Sequence, residues 1–243
     1  MTLEARGLAR LGLVVDPAGL AALRAAADRV LADAPAGPHG AIRHDAWRRD
    51  PAFLTALGPI AARARALLGA PVVRLFQDHV ISKPPGTTAE IAWHQDHGYW
   101  PLASSRGLTV WVALDDADEH NGCLRYLPGT HLLGERRTAD FVGAPGQGGS
   151  PLDLREAPAP AEVAPARAGE ALAHDPLVWH MSGPNRSSRP RRAWSISLVL
   201  DDARWDPDRT PHPFVSVHRP TPGAPLDPAG FPRFTGPVSA VDT

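Results

Sequence analysis

One cysteine (Cys123), one lysine (Lys83), two tyrosines and two methionines are all that 243 residues carry of these types. A lone cysteine rules out an intramolecular disulfide and any metal cage built from cysteines alone. No run of about 18 apolar residues occurs, so no transmembrane helix is expected. The opening stretch MTLEARGLARLGLVV has neither a continuous apolar core nor a small-residue cleavage site, so no secretory signal is expected. Neither sign of charge is in excess: 25 basic and 26 acidic residues give a formal net charge of −1. Nucleic-acid binders ordinarily carry a basic surplus. The expectation is a cytoplasmic protein that handles a small molecule and binds neither nucleic acid nor membrane; its oligomeric state is left open. No internal repeat or linker divides the chain, so residues 1–243 read as one domain.

What is abundant is proline, glycine and arginine, and the prolines punctuate. Asp16-Pro17 sets a capping carboxylate before a proline at the first helical position. Leu20, Leu23, Ala27, Val30 and Leu31 follow at helical spacing, predicting a helix over about 17–33. Asp50-Pro51 repeats the signal, with Phe53, Leu54, Leu57, Ile60, Ala64, Leu67 and Leu68 running to Gly69. Beyond residue 70 the pattern changes to short β-branched or aromatic stretches at 72–82, 108–114, 123–127, 177–180 and 193–200. Turn residues separate them, among them Pro84-Pro85-Gly86, Asn121-Gly122 and Gly183-Pro184-Asn185, as in a barrel or sandwich. Residues 143–168 read as a long surface loop, with GAPGQGGS at 143–150 as a lid at the pocket mouth. Residues 204–237 read as a wrap without regular structure.

Eleven histidines are available, but a lone histidine is ordinarily a surface or hydrogen-bonded residue and needs a partner. Trp93-His94-Gln95-Asp96 supplies one. In an extended segment alternate side chains share a face, so His94 and Asp96 can grip one metal ion. His44-Asp45 and His174-Asp175 are adjacent pairs whose side chains diverge, and these read as structural or exposed. A third ligand has to come from a distant strand, and His180, ending the apolar run Leu177-Val178-Trp179, is placed for it. Two histidines and a carboxylate on one side of an ion leave three positions open, the facial triad of non-haem Fe(II) oxygenases. Taken alone, His180 fits better as a strand-end histidine bonded to a backbone carbonyl. Eleven residues later, Arg191 shares a strand face with the small Ala193, Ser195 and Ser197, while Trp194, Ile196 and Leu198 face the other way. A guanidinium in such a cavity is an anchor for a dicarboxylate; alternatively RPRR at 189–192 is an exposed basic turn.

Taken together, the HxD pair, the distal histidine and the arginine resemble the phytanoyl-CoA dioxygenase family of Fe(II)/2-oxoglutarate oxygenases. The flanks resemble it too: KPPG at 83–86, WHQDHGYWP at 93–101, NGCLRYLPGTH at 121–131 and HMSGPNRS at 180–187. The resemblance runs over roughly residues 72–200; Met181 stands where the family often has glycine. It implies a mainly β fold with flanking α-helices, a double-stranded β-helix (jelly roll, cupin-like). Residues 1–70 would form a helical N-terminal part, 71–203 the jelly-roll core and 204–243 a Pro-rich tail. It further implies Fe(II) held by His94, Asp96 and His180, and 2-oxoglutarate held by Arg191. Trp111 and Thr109 would lie on the cosubstrate side, with Gln77 and Lys83 bordering the pocket, and O2 would be the oxidant. His131 and its NGCLRYLPGTH segment read as structural. The implied activity is hydroxylation of an unactivated C–H bond in a small organic molecule, as in a bacterial biosynthetic tailoring enzyme. Desaturation, cyclisation or epimerisation at the same centre is the alternative, and a jelly-roll binding protein without turnover is the rival from another class. Halogenating relatives replace the carboxylate with a small residue, so Asp96 argues against that outcome.

Overall fold

The computed structural model describes residues 3–136, 154–209 and 220–237. A single helical turn, α1 (Leu3–Arg6), leads into β1 (Leu8–Leu13) and α2 (Pro17–Leu31). The short β2 (Ala36–Gly37) and β3 (Gly40–His44) follow, then α3 (Ala46–Arg49) and α4 (Pro51–Leu68). The remaining chain is strand and connection: β4 (Val72–Lys83), β5 (Ile91–His94), β6 (Gly107–Ala113), β7 (Leu124–Tyr126) and β8 (Glu162–Ala164). It closes with β9 (Glu170–His174), β10 (His180–Ser182), β11 (Arg191–Leu200) and β12 (Arg233–Thr235). Both Asp-Pro signals begin helices. The Asp16 carboxylate accepts from Gly19 N at 2.7 Å and that of Asp50 from Ala52 N at 3.0 Å, each satisfying a donor the helix leaves open. Gly69 ends α4 in the left-handed conformation, φ 59°, which suits glycine.

Eight strands make the larger sheet, in the order β1-β9-β6-β11-β4-β3-β2 with β12 also on β4; β5-β10-β7-β8 make the smaller one. Every pairing is antiparallel. The two sheets face each other as a jelly roll. Strand alternation sorts β11 into two chemistries: Trp194, Ile196 and Leu198 pack outward with Leu23, Phe53, Leu57 and Ile60 of α2 and α4. Ala193 packs inward, with Trp111, Leu124, Tyr126 and Leu172, between the sheets. Each fully buried large apolar side chain contributes about 1.5–3 kcal/mol. The helices therefore clamp one side of the larger sheet and leave its other side to the cavity.

Several expectations need correction. The N-terminal part is not only helical, since β1 pairs with β9 and β3 with β4. The apolar run at 177–179 is not a strand; the Asp175 carboxylate accepts from Leu177 N at 2.8 Å and its carbonyl from Val178 N at 3.0 Å, turning the chain before β10 begins. The part of the 143–168 loop that is described contains β8, paired with β7, and the tail contains β12, paired with β4. The proposed lid at 143–150 lies outside the described residues. Among the described residues no helix is long and apolar enough to cross a membrane.

A buried acid ties α3 to the larger sheet. Asp78 Oδ2 accepts from Trp194 Nε1 at 2.8 Å and from Trp47 N at 3.1 Å, and burial pushes the carboxyl from 3.8 up to about 7. The folded protein thus keeps a proton there that the unfolded chain releases near pH 4. Between those values the native state binds more protons, so stability falls as pH rises. Three units correspond to about 4 kcal/mol. Thermal unfolding of Asp78→Asn, which keeps the acceptor and removes the titration, should therefore lose this decline between about pH 4 and 7. An unchanged slope would assign it elsewhere.

Candidate metal centre

Three ligand atoms meet where the small sheet's first two strands run side by side. His94 ends β5, Gln95 stays extended (φ −114°, ψ 134°), and Asp96 opens a 3-10 turn, so alternation carries His94 and Asp96 to one side. His180, the first residue of β10, is the cross-strand partner of His94, and the two rings lie 4.0 Å apart. The Nε2 atoms of His94 and His180 lie 3.6 and 3.5 Å from Asp96 Oδ1. One ligand atom from each residue falls within 4.8 Å of the others.

Protonation is arranged for binding a cation. His94 Nδ1 lies 2.8 Å from the Ala92 carbonyl and His180 Nδ1 3.1 Å from that of Val178. A carbonyl only accepts, so Nδ1 carries the proton in each ring and the Nε2 lone pair points at the centre. Burial, then the neighbouring imidazoles of His94 and His174, hold His180 well below the usual histidine range and keep it neutral. Burial pushes the Asp96 carboxyl up, but the neighbouring His180 and the hydrogen bond from His174 outweigh it and hold it well below the ordinary value. Two imidazole nitrogens and one carboxylate oxygen, converging from one side, fit a divalent iron.

The interior face of the larger sheet completes the cavity in cross-strand rows. Thr109 stands between His174 and Ser197, and Ser197 is opposite Gln77. Thr109 donates its hydroxyl proton to Asp96 Oδ2 at 2.6 Å, and Gln77 donates to Ser197 Oγ at 3.4 Å. In the next row Trp111 lies opposite Ser195, and Ser195 opposite His79. At the far end Lys83 and Arg191 are cross-strand partners, 0% and 1% exposed. Arg191 Nη2 donates to Gly122 O and to Ser182 Oγ, both at 2.9 Å, and its carbon Cζ sits 5.5 Å over the Trp111 ring. Its Nε has no partner among the described residues. Lys83 donates to the carbonyls of Ser182, at 3.0 Å, and Gly183. Gly122 is held here by necessity: its φ is 83°, and a Cβ would collide with the Gly183 carbonyl.

Neither cation forms an ion pair among the described residues. Burial and then Arg191 pull Lys83 down to about 7, and burial pulls Arg191 to about 10. Two neighbouring buried cations with an orphaned guanidinium N–H fit the carboxylate of an acidic ligand. Arg192, by contrast, faces the helices and is spent on Asp115 at 2.9 Å and Asp28 at 2.6 Å.

Residues that sequence reasoning passed over also converge here. His174, read as structural or exposed, is buried, with Nε2 3.1 Å from Asp96 Oδ2 and Nδ1 3.0 Å from the Tyr126 hydroxyl. His79, whose ring packs on His44 at 5.2 Å, feels the charge of Asp96. No local pattern marks either one; only the register of β9 and β4 does. His131 lies apart from the centre, its Nε2 2.9 Å from the Glu4 carbonyl.

A family model described as phytanoyl-CoA dioxygenase matches residues 3–193. Phytanoyl-CoA dioxygenase domain-containing protein 1 of Bos taurus is 32% identical over 198 residues, 77% of this chain and 64% of that protein. The chain spans about half to two thirds of the length of the curated relatives it matches. The solved structure of the epimerase SnoN in complex with Fe3+, alpha ketoglutarate and nogalamycin RO is 27% identical, with a TM-score of 0.80 over 95% of both chains. The alpha ketoglutarate dependent carbocyclase SnoK from nogalamycin biosynthesis is also 27% identical, with a TM-score of 0.79 over 96% of this chain and 94% of that one.

Anaerobic titration with Fe(II) or Co(II) should give one ion per chain. At a free metal concentration 100 times the dissociation constant, the ion should add about 2.7 kcal/mol to the unfolding free energy. His180→Ala should lose that increment, and retention of it would remove His180 from the ligand set.

Proposed function

The chain belongs to the phytanoyl-CoA dioxygenase family, and from that footing we propose that it is an Fe(II)- and 2-oxoglutarate-dependent oxygenase acting on a C–H bond of a small organic molecule. The observation that carries the reading is the pairing, on the inner side of the two sheets, of a three-donor cation site with two buried cations that form no ion pair among the described residues. In this reading His94, Asp96 and His180 hold iron, and Arg191 with Lys83 holds the distal carboxylate of 2-oxoglutarate. Iron with 2-oxoglutarate and O2 supplies an oxidant able to take hydrogen from an unactivated carbon, 2-oxoglutarate leaving as succinate and CO2. The chain supplies the frame. Trp111 lies beneath the Arg191 guanidinium and limits its travel, and Ser182 and Gly122 aim it. Ile81, Leu124 and Leu172, buried beside Trp111 between the sheets, keep this interior apolar.

A role in tailoring a natural product draws support from the likeness to SnoN and SnoK, whose descriptions place them in nogalamycin chemistry. The same likeness favours a second reading, in which this centre epimerises a carbon or closes a ring. Product mass separates the two: one added oxygen for hydroxylation, no change for epimerisation, loss of two hydrogens for ring closure or desaturation. With Asp96 filling the third protein ligand position, a halogenated product is not expected even in excess chloride.

The test is succinate formation from 2-oxoglutarate that requires iron and stops when a chelator removes it. Arg191→Ala strands a carboxylate in a buried cavity, which costs about 3–5 kcal/mol. The KM for 2-oxoglutarate should rise by at least two orders of magnitude, while Arg192→Ala leaves it near wild type. Iron-independent turnover, or the reverse ranking of the two arginines, would overturn the assignment.

A further inference from the structure

Asp96 uses its two oxygens for different tasks. Oδ1 faces the Nε2 atoms of His94 and His180 at 3.6 and 3.5 Å. Oδ2 turns away and receives two donors from the larger sheet, Thr109 Oγ1 at 2.6 Å and His174 Nε2 at 3.1 Å. An ionised carboxylate only accepts, so His174 carries a proton on Nε2. In the neutral ring that leaves Nδ1 to accept, and the Tyr126 hydroxyl, 3.0 Å away, donates to it. Tyr126, His174 and Thr109 are 0%, 1% and 2% exposed, so water does not compete for these bonds. The donors sit on rigid elements: Thr109 and His174 are cross-strand partners in β6 and β9, and Tyr126 comes from β7 of the opposite sheet.

We propose that His174, its tautomer set by Tyr126, is a positioning residue that together with Thr109 restricts Asp96 to a one-oxygen grip on the metal. The proposal rests on the iron-centre reading above. A carboxylate free to pivot would chelate through both oxygens and take one of the three positions that a bidentate cosubstrate and O2 require. Holding Oδ2 in two charge-assisted hydrogen bonds keeps that position open. His174 does not itself belong to the ligand set. Its Nε2 proton is directed at Oδ2, and the group of donors mutually within 4.8 Å consists of His94, Asp96 and His180. The likeness of His174-Asp175 to an ordinary adjacent pair hides this role, because the residue it serves lies 78 residues away, just beyond β5.

Three full-length variants test the proposal: His174→Phe removes the donor and keeps the ring volume, His174→Gln returns an N–H, and Tyr126→Phe deletes a single oxygen. The readouts are the melting temperature of the metal-free protein, Fe(II) affinity by anaerobic competition with a chromogenic chelator, and the visible charge-transfer band of the Fe(II)–2-oxoglutarate complex. His174→Phe should weaken iron binding by about 10–100-fold and shift or abolish the band. His174→Gln should recover most of both. Tyr126→Phe should weaken iron binding several-fold, and it decides the matter if His174→Phe does not fold. Wild-type iron affinity and an unshifted band in the folded His174→Phe protein, or in Tyr126→Phe where that variant stands in, would overturn the proposal. So would a fall in melting temperature with no change in affinity. If the wild type itself binds no iron, the functional reading fails; if it binds iron and the variants match it, only this inference fails.

Discussion

The carboxylate of Asp96 is held by side chains from both sheets of the sandwich. Through Oδ1 it faces the histidines of β5 and β10, and through Oδ2 it takes hydrogen bonds from β6 and β9. An ionised acid at such depth is tolerable only because imidazoles and donors surround it. Every other feature of the cavity is arranged about that requirement. The pairing of β5 with β10 brings His180 opposite His94, and the pairing of β6 with β9 sets Thr109 beside His174. A register slip of one residue in either pair would turn one partner out of the cavity.

Charge is segregated along the interior. One end holds a carboxylate among imidazoles, the other two cations among carbonyls, and the apolar and aromatic rows of Trp111, Leu172, Ile81 and Ala193 lie between. Opposite charges held this far apart in a low-dielectric interior neither neutralise one another nor reach bulk water. A ligand carrying a carboxylate at one end and metal-binding oxygens at the other matches that layout. The outward face of the same strands has the opposite character, an apolar surface buried under α2 and α4, so β11 serves the helical core and the cavity with alternate residues.

Legibility followed locality. The Asp-Pro helix starts, the alternation that joins His94 to Asp96, and the inward set of Arg191, Ala193, Ser195 and Ser197 all depend on neighbours within a few residues, and the structure shows the same groupings. The strand expected at 177–180 instead turns on the Asp175 side chain, because three apolar residues in a row look alike whether they extend or bend under a core. The edge strands β1, β8 and β12 escaped notice because their stability comes from distant partners rather than from their own sequence. His174 escaped for a related reason: its partners Asp96 and Tyr126 lie 78 and 48 residues away in the chain.

The burial of Lys83 has a practical side. It is the protein's one lysine, and the fold leaves it 0% exposed at the end of β4. Twenty-four arginines carry the remaining basic charge, so the native surface presents no lysine amine to acylating or cross-linking reagents. Modification at Lys83 itself would therefore mark only molecules in which the β4–β11 end has parted. The chain thus carries its own reporter for the opening of the sandwich, at the corner where the two cations meet.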